Sequence, residues 1–348
     1  MLLDALRVPI IQAPLAGGAS TPALTAAVVG AGWFGFVAAG YRTPDQVRDD
    51  VAAVRSLTGG AFGVNVFVPG AAADPSAYSS YVASLADEAR GHGIELGEPR
   101  FEDDAWEAKL ELLEADPVAV VSFTFGCPPP EVVRRLRAAG SEVWVTVTSP
   151  DEAALAAAAG ADALVAQGIE AGGHRASFVD VEDSAEYGLL ALLQALRTHT
   201  DLPLVATGGI ATGCAVAAVL CAGARAAQVG TAFMRCPEAG TSPAHRDALA
   251  TPTPTRLTRA FTGRQARGIA NRFLREHSAN APLAYPEIHH VTAPLRAAGR
   301  AAGDAEVLNL WAGQTHELAP ELPAAEMVAT LAAAAAEALA GARGALGT

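Results

Sequence analysis

The chain has 348 residues, of which 51% are apolar and 18% are charged. This length suits a single α/β barrel with an insertion, and the apolar fraction predicts a large core and excludes disorder. The net charge of −13 argues against nucleic acid or an anionic membrane surface as a partner and favours a small molecule. The N-terminal segment has no basic start and no long apolar run, so we expect a cytoplasmic protein without a membrane span.

Short apolar runs recur along the chain, and several follow an alanine-rich run and a glycine. A glycine just past a helix can close it in the left-handed conformation, and a continuous apolar run after it suits a strand buried on both faces. Eight strands are predicted in this way: Val8 to Pro14, Trp33 to Ala39, Ala61 to Val68, Val118 to Phe125, Val143 to Val147, Ala161 to Gln167, Leu202 to Gly209 and Ala226 to Phe233.

Helix-compatible segments lie between these strands. They include Pro44 to Leu57, Tyr78 to His92, Pro130 to Ala139, Asp151 to Ala159, Glu186 to Thr198 and Gly213 to Cys221. Because strand and helix alternate eight times with both strand faces covered, a (β/α)8 TIM-type barrel is favoured over a doubly wound sheet.

The pattern changes after the eighth strand. From residue 238 to residue 313, prolines, arginines and scattered aromatics replace the alternation, which indicates a lid or substrate-side insertion. The alanine-rich segment Leu322 to Ala342 is predicted as the closing outer helix of the barrel, and two glutamates within it argue against a membrane anchor. The predicted division is therefore a barrel of residues 1–237 and 314–348 and a lid of residues 238–313.

The sixth predicted strand runs directly into the segment GIEAGGHR, residues 168 to 175. Loops at the carboxyl ends of barrel strands carry the catalytic groups of this fold, so His174 is expected to point into the barrel mouth. Gly172 and Gly173 remove side chains beside it, which lets the main chain turn sharply and a flat ligand approach closely. The alternative is a structural histidine, but the end-of-strand position and the flanking glycines favour a functional one.

The loops after the seventh and eighth strands form a second candidate site. One contains Gly208 and Gly209, and the other contains Gly230 and Thr231. Glycines expose main-chain N–H groups, and these two loops of such barrels often bind a phosphate. No GxGxxG follows an early strand and no Walker lysine is present, so a mononucleotide such as a flavin fits better than a dinucleotide.

Other strand ends offer candidate contacts, each with a core or turn role as an equal alternative. The turn after the first strand, formed by Ala13, Pro14 and Leu15, could lay main chain against a planar ring. Asn65 on the third strand has an amide that both donates and accepts hydrogen bonds, and the fourth strand ends with the hydroxyls of Ser122 and Thr124.

Metal binding is not expected. The adjacent residues His289 and His290 resemble a ligand pair, but neighbouring positions point apart. The cysteines form no CxxC pair, which predicts buried free thiols rather than a metal or redox site. They are Cys127, Cys214, Cys221 and Cys236.

Taken together, these segments resemble the nitronate monooxygenases, formerly called 2-nitropropane dioxygenases. The resemblance rests on PIIQAPLAGG, FGVNVF, VSFTFG, AQGIEAGGHR, ATGGIATG, QVGTAF, FTGRQARGIANRF, TAPLRAAG and LWAGQ, and it spans nearly the whole chain. It implies a barrel that holds FMN noncovalently without a metal. The implied reaction is the oxidation of alkyl nitronates, or of nitroalkanes after deprotonation, with O2 to carbonyl compounds and nitrite.

The resemblance also implies roles for individual residues. His174 corresponds to the catalytic base. The implied FMN contacts are Asn65, Gln167, Gly172, Gly209, Gln228, Val229, Gly230 and Thr231. Two positions depart from the family pattern: Leu15 stands where methionine is common, and the segment after GGIA lacks the usual acidic residue, which leaves the helix cap to Thr212.

Two other functions stay open. An FMN- and NAD(P)H-dependent enoyl-acyl-carrier-protein or quinone reductase would share the EAGGH and GGIA loops, and a non-catalytic barrel could bind a phosphorylated ligand. The complete lid sequence favours the monooxygenase. The sequence specifies neither the nitro compound, nor the number of subunits, nor a role in detoxification or biosynthesis, nor whether NAD(P)H reduces the flavin.

Overall fold

The predicted strands close into a barrel in the computed structural model, which describes residues 1–181 and 186–345. The strands are β1 (Ile10–Gln12), β2 (Phe34–Ala38), β3 (Gly63–Phe67), β4 (Val120–Thr124), β5 (Glu142–Val147), β6 (Ala163–Gln167), β7 (Gly173–His174), β8 (Leu204–Thr207), β9 (Ala226–Val229), β10 (Thr255–Thr258) and β11 (Ala266–Ile269). The barrel order is β1-β2-β3-β4-β5-β6-β8-β9, all pairs are parallel, and β9 pairs back to β1. The predicted (β/α)8 barrel is confirmed.

Large side chains fill the interior of the barrel at the end away from the loops that follow the strands. Phe34 and Phe36, two positions apart on β2, point inward, and their ring centroids lie 5.3 Å apart. Trp144 of β5 packs against both rings, and Leu3 belongs to the same cluster. This end is therefore a packed core, and the carboxyl ends of the strands are left for the site.

Helices surround the barrel and build the lid. They are α1 (Leu2–Ala5), α2 (Pro22–Gly30), α3 (Pro44–Leu57), α4 (Pro75–Ser84), α5 (Ala86–Gly91), α6 (Trp106–Ala115), α7 (Pro130–Ala139), α8 (Pro150–Ala159), α9 (Leu189–Arg197), α10 (Gly213–Cys221), α11 (Pro243–Leu249), α12 (Arg272–His277), α13 (Glu287–Ala302) and α14 (Ala324–Ala345).

Local signals explain most helix boundaries. Thr43 caps α3 in a capping box with Gln46, and Gly140 and Gly160 end α7 and α8 in the left-handed conformation. The prediction of a single helix from Tyr78 to His92 was wrong. This segment forms two helices, α4 and α5, which are separated at the buried Leu85. The helix α6 was not predicted.

The C-terminal helix α14 agrees with the predicted closing helix. Among the described residues, it is the one helix long and apolar enough to cross a membrane by length and composition. Met327, Val328 and Leu331 of this helix are buried in the main core. A Cβ added at Gly213 would lie 2.4 Å from Cβ of Ala334, so α10 and α14 are in close contact.

The chain after β9 forms a second layer over the loops. β10, β11 and β7 make a small antiparallel sheet, so β7 joins the barrel loop to the lid. Phe261, Phe273 and Ile288 form a core in this layer together with Tyr78 and Tyr81 of α4. The division at residues 238 and 313 stays a prediction, and the packing adds α4 to the lid side.

The cysteines are free thiols, as predicted, but they are not all buried. Cys236 is buried and Cys127 is partly buried, whereas Cys214 and Cys221 on α10 are exposed. The prediction of burial was wrong for the latter two because they lie on the solvent side of their helix.

Candidate active site

A cavity of about 430 Å³ lies at the carboxyl ends of the barrel strands, between the barrel and the lid. It is lined by His174 and by most residues predicted to bind the cofactor. These are Ala13, Pro14, Leu15, Asn65, Gln167, Gly172, Gly173, Gly208, Gly209, Gln228, Gly230 and Thr231. Val229 does not line it: side chains alternate along β9, so Gln228 faces the interior and Val229 faces the helices.

The turn after β1 is held from behind by buried polar groups. Gln12 is fully buried; its Nε2 donates to the carbonyl of Ala13 and, at 3.2 Å, to Oγ of Ser20. The same Ser20 oxygen accepts the N–H of Leu15 at 2.8 Å. These bonds fix the main chain of residues 13–15 as a rigid wall of the cavity.

A polar network covers part of the cavity floor. Nδ2 of the buried Asn65 donates to Oγ of Ser122 at 2.9 Å and to Oγ1 of Thr124 at 3.0 Å. Thr124 is 3.5 Å from the hydroxyl of Thr146 on the next strand. All four side chains line the cavity. Of the two roles that the sequence left open for Ser122 and Thr124, the structure therefore favours a place on the cavity wall.

The opposite end of the cavity is built mainly from main chain. Gly208 and Gly209 have φ of 114° and 66°, values that favour glycine. Gly230 begins the short 3-10 helix Thr231–Arg235, which has no side-chain cap. Thr212 accepts the N–H of Ala215 and so caps α10, as predicted. This end therefore presents glycine main chain and threonine side chains to a ligand.

The loop after β6 is held by hydrogen bonds within it, and it packs closely against the lid. Nε2 of Gln167 donates to the carbonyl of His174 at 3.1 Å, and its Oε1 accepts the N–H of Ala176 at 2.9 Å. The carboxylate of Glu170 accepts the N–H of Leu189 at the start of α9. A Cβ on Gly172 would lie 2.5 Å from the main chain of Gly313, so this glycine permits close approach of the lid.

His174 lies among aromatic rings at the join between barrel and lid. Its ring centroid is 5.6 Å from those of Phe125 and Tyr285 and 5.5 Å from that of Trp311. Nε2 is 2.9 Å from Oγ1 of Thr262. Desolvation, with smaller effects from the charges of Arg264 and Arg296, lowers the pKa of His174 to about 3. The imidazole is therefore neutral near pH 7.

Several residues of the lid side were not predicted. Tyr41 and His289 stack with centroids 4.3 Å apart, and Oη of Tyr285 donates to Oη of Tyr41 at 3.0 Å. Arg296 and Arg300, also on α13, line the same cavity, as does Trp311. The positions 289, 296 and 300 share one helix face, and this spacing was the available signal.

The two adjacent histidines have separate environments. His289 lines the cavity, whereas Nε2 of His290 lies 3.2 Å from the carboxylate of Glu102 outside it. Within residues 1–181 and 186–345, Glu88, Glu276 and His277 have ligand atoms close enough to hold a metal. The guanidinium of Arg272 already bonds both oxygens of Glu88, so this group forms an ion-pair cluster.

Comparisons with known proteins agree with this geometry. A family model described as nitronate monooxygenase matches residues 1–334. A nitronate monooxygenase from Pseudomonas aeruginosa is 44% identical over 342 residues, which cover 94% of this chain and 95% of that protein.

Two solved structures are similar to this chain over nearly its whole length. That of nitroalkane oxidase from Streptomyces ansochromogenes has a TM-score of 0.96 and 52% identity, and covers 98% of this chain and 99% of that one. FabK from Thermotoga maritima has a TM-score of 0.75 and 26% identity, and covers 99% and 98%. The family model extends over nearly the whole chain and through every loop of the cavity. The chain belongs to the nitronate monooxygenase family.

Proposed function

We propose that this chain is an FMN-dependent oxidoreductase that converts alkyl nitronates, and nitroalkanes after deprotonation, with O2 to carbonyl compounds and nitrite. The observation that carries the proposal is the neutral imidazole of His174 on the wall of a cavity that also has a glycine-lined end. A base of this kind is required only for the nitroalkane, because the nitronate has already lost its α-proton. The Pseudomonas relative, named as a nitronate monooxygenase, and the Streptomyces structure, named as a nitroalkane oxidase, support the two substrate forms.

The cavity fits a flavin mononucleotide. The family is flavin-dependent. A Cβ on Gly209 would lie 2.9 Å from Cβ of Glu170 and φ is 66° there, so a side chain is excluded at this position, whereas Gly230 leaves the end proposed for the phosphate open without requiring glycine. The rigid turn at residues 13–15 and the Asn65 network would hold the ring. When bound, the flavin supplies the electron transfer of the reaction.

We infer from the hydrogen bonds of Thr262 which nitrogen of His174 is basic. Oγ1 of Thr262 donates to the carbonyl of Arg264 at 3.2 Å. Its hydroxyl proton is therefore used, so Oγ1 accepts a hydrogen bond from a protonated Nε2 of His174. This tautomer leaves Nδ1 unprotonated, so Nδ1 is the atom that takes the α-proton of a nitroalkane.

The surrounding loop keeps this ring in place. Gln167 holds both the carbonyl of His174 and the N–H of Ala176, and β7 pairs His174 with Ala266 of the lid. The imidazole is thus supported from the barrel and from the lid. Such support limits the freedom of a base to the orientation that reaches the substrate.

The experiment is an assay of nitrite release with propane-2-nitronate under air, using the purified yellow protein. We expect nitrite and acetone, with FMN as the cofactor released by acid. Absence of nitrite would refute the activity, and FAD or an adenine-containing cofactor would refute the assignment of FMN.

The similarity to FabK supports a reductase as the alternative function. Anaerobic mixing with NADH separates the two activities, because a reductase must accept hydride from it. We expect the flavin to stay oxidised on the timescale of nitronate turnover. Rapid bleaching of the flavin would favour the reductase, and a protein with no flavin spectrum would favour a non-catalytic binding barrel.

A further inference from the structure

The cavity wall is positively charged, although the chain as a whole has a net charge of −13. Arg296 and Arg300 line it and carry this charge, since burial lowers the pKa values of the three lining histidines His174, His245 and His289. Among residues 1–181 and 186–345, no aspartate or glutamate side chain belongs to this wall. A concave surface of one sign attracts ligands of the opposite sign, so the cavity favours an anion.

Arg296 is the buried part of this charge. It is 8% exposed, and its Nε donates to Oγ1 of Thr292 at 3.2 Å while its Nη2 donates to the carbonyl of His289 at 2.7 Å. In the described part of the chain, Nη1 has no protein acceptor and no carboxylate lies within ion-pair distance. A buried cation without a counter-charge is costly, and an anionic ligand would remove that cost.

Arg296 lies on the same cavity wall as the proposed base, and its Nη2 is 3.4 Å from Nδ1 of His289. Its charge helps to lower the pKa of His174, after desolvation and the charge of Arg264. Arg300 lies one helical turn further along α13 and is exposed. The buried arginine therefore shares the cavity wall with the proposed base, and the exposed one lies nearer solvent.

We propose that Arg296 is a substrate-binding residue that holds the oxygens of the nitronate group and selects the ionised nitronate over the neutral nitroalkane. This inference rests on the function proposed above. A guanidinium matches a planar group with two oxygens that share a negative charge, and its hydrogen bonds to such an anion are stronger than those to a neutral group. Thr292 and the His289 carbonyl fix the orientation of the guanidinium before the substrate binds.

Isobutyrate is the probe for binding without turnover. Its carboxylate has the planar two-oxygen shape of the nitronate group, and its carbon skeleton matches that of propane-2-nitronate. The dissociation constant is measured on the holoenzyme from the change in the flavin spectrum. The steady-state KM and kcat are then measured for propane-2-nitronate and for 2-nitropropane.

The test variant is Arg296→Met, and its matched control is Arg256→Met. Arg256 is exposed on β10 of the lid, so the control removes the same charge from a site outside the cavity. We expect Arg296→Met to raise the KM for the nitronate and the dissociation constant for isobutyrate by about 10- to 100-fold. The KM for neutral 2-nitropropane should rise much less, and Arg296→Lys should recover part of the loss.

Values within about threefold of the Arg256→Met control would overturn the proposal, as would an equal rise in the KM for both substrate forms. If Arg296→Met does not retain flavin, Arg296→Gln takes its place because its amide can still donate to Thr292 or to the His289 carbonyl. If the wild-type protein releases no nitrite from the nitronate but binds isobutyrate through Arg296, the proposed reaction fails and the anion site stands. If it turns over nitronate with no dependence on Arg296, only the role of Arg296 fails.

Discussion

The barrel wall and the lid wall of the cavity differ in chemistry. The barrel contributes main chain, amides and hydroxyls, through residues such as Gly209, Gly230 and Asn65. The lid contributes rings and guanidinium groups, through His289, Arg296 and Trp311. Small neutral groups suit a cofactor that must be approached closely, and charged or aromatic groups suit a small anionic substrate. The comparison supports the proposals that the barrel binds the cofactor and that the lid recognises the substrate, with His174 between them.

Desolvation strengthens this contrast on the lid side. Burial raises the pKa of Tyr41 to about 12 and raises that of Tyr285 well above its usual value, while it lowers the pKa of His289. These groups are therefore uncharged near pH 7, and the arginines carry the charge. In surroundings with little water, a single fixed charge has a larger effect on a ligand than it has at the surface.

The largest effect is expected at the join of the two walls. His174→Asn keeps much of the size of the ring but removes the base, so nitroalkane turnover should fall by about 10² to 10⁴-fold. Nitronate turnover should fall far less, because that substrate needs no base. Steady-state rates for both forms of one compound, with flavin content measured, provide the check, and equal losses would show that His174 only shapes the site.

A charge on the barrel wall should disturb the cofactor. Gly230 has φ of −109°, so a side chain is not strained there, and its Cβ would lie 3.4 Å from Leu15. Gly230→Asp would place a negative charge beside the proposed phosphate and should weaken FMN binding on the order of 10²-fold. Gly230→Ala is the steric control and should keep its flavin. Full flavin retention by the aspartate variant in an equilibrium dialysis assay would move the phosphate elsewhere.

A smaller loss of nitroalkane turnover is expected when the His174 imidazole is kept but its orientation is no longer fixed. Thr262→Val removes the hydroxyl that accepts from Nε2 of His174, so the imidazole loses its fixed tautomer. Nitroalkane turnover should fall about tenfold, consistent with the loss of one hydrogen bond. Thr262→Ser should restore it, and nitronate turnover should change little in either variant. If serine fails to restore the rate, the methyl packing of Thr262 is what matters.

The smallest effect concerns folding stability. The folded-state pKa of His174 is about 3, below the value of about 6.5 for an unfolded histidine, so acid protonates the unfolded chain first. Stability from this group is complete above about pH 6.5 and is lost as the pH falls towards about 3, by at most about 1.4 kcal/mol per pH unit.

His174→Asn should have a shallower dependence of the unfolding free energy on pH across this window. Urea unfolding of both proteins at a series of pH values measures the difference. His245, whose pKa is lowered to about 4 by burial first, acts in the same direction in both proteins and cancels in the comparison. Identical slopes for the two proteins would mean that His174 is protonated in the folded state over this range.

The barrel wall could be predicted from the sequence because its signals are local. Continuous apolar runs and glycines after helices specified the eight strands, and position at a strand end was enough to place Asn65, Gly209 and His174 in one mouth. The prediction of a cofactor contact failed at Val229. Side chains alternate along β9, and that of Val229 packs in the core outside the cavity.

The lid wall depended on the tertiary structure because its contacts join distant segments. Tyr41 meets His289 across 248 positions of the chain only after α13 has folded over the barrel, as the stacked rings show. Similarly, the charge of Arg296 matters because the fold buries it on the same cavity wall as His174 without a carboxylate from any described segment. Sequence alone determined which barrel residues face the cavity, since strand geometry fixes the direction of their side chains. Burial and the absence of a counter-charge among the described residues are properties of the folded chain, and the proposal that Arg296 recognises the substrate depends on them.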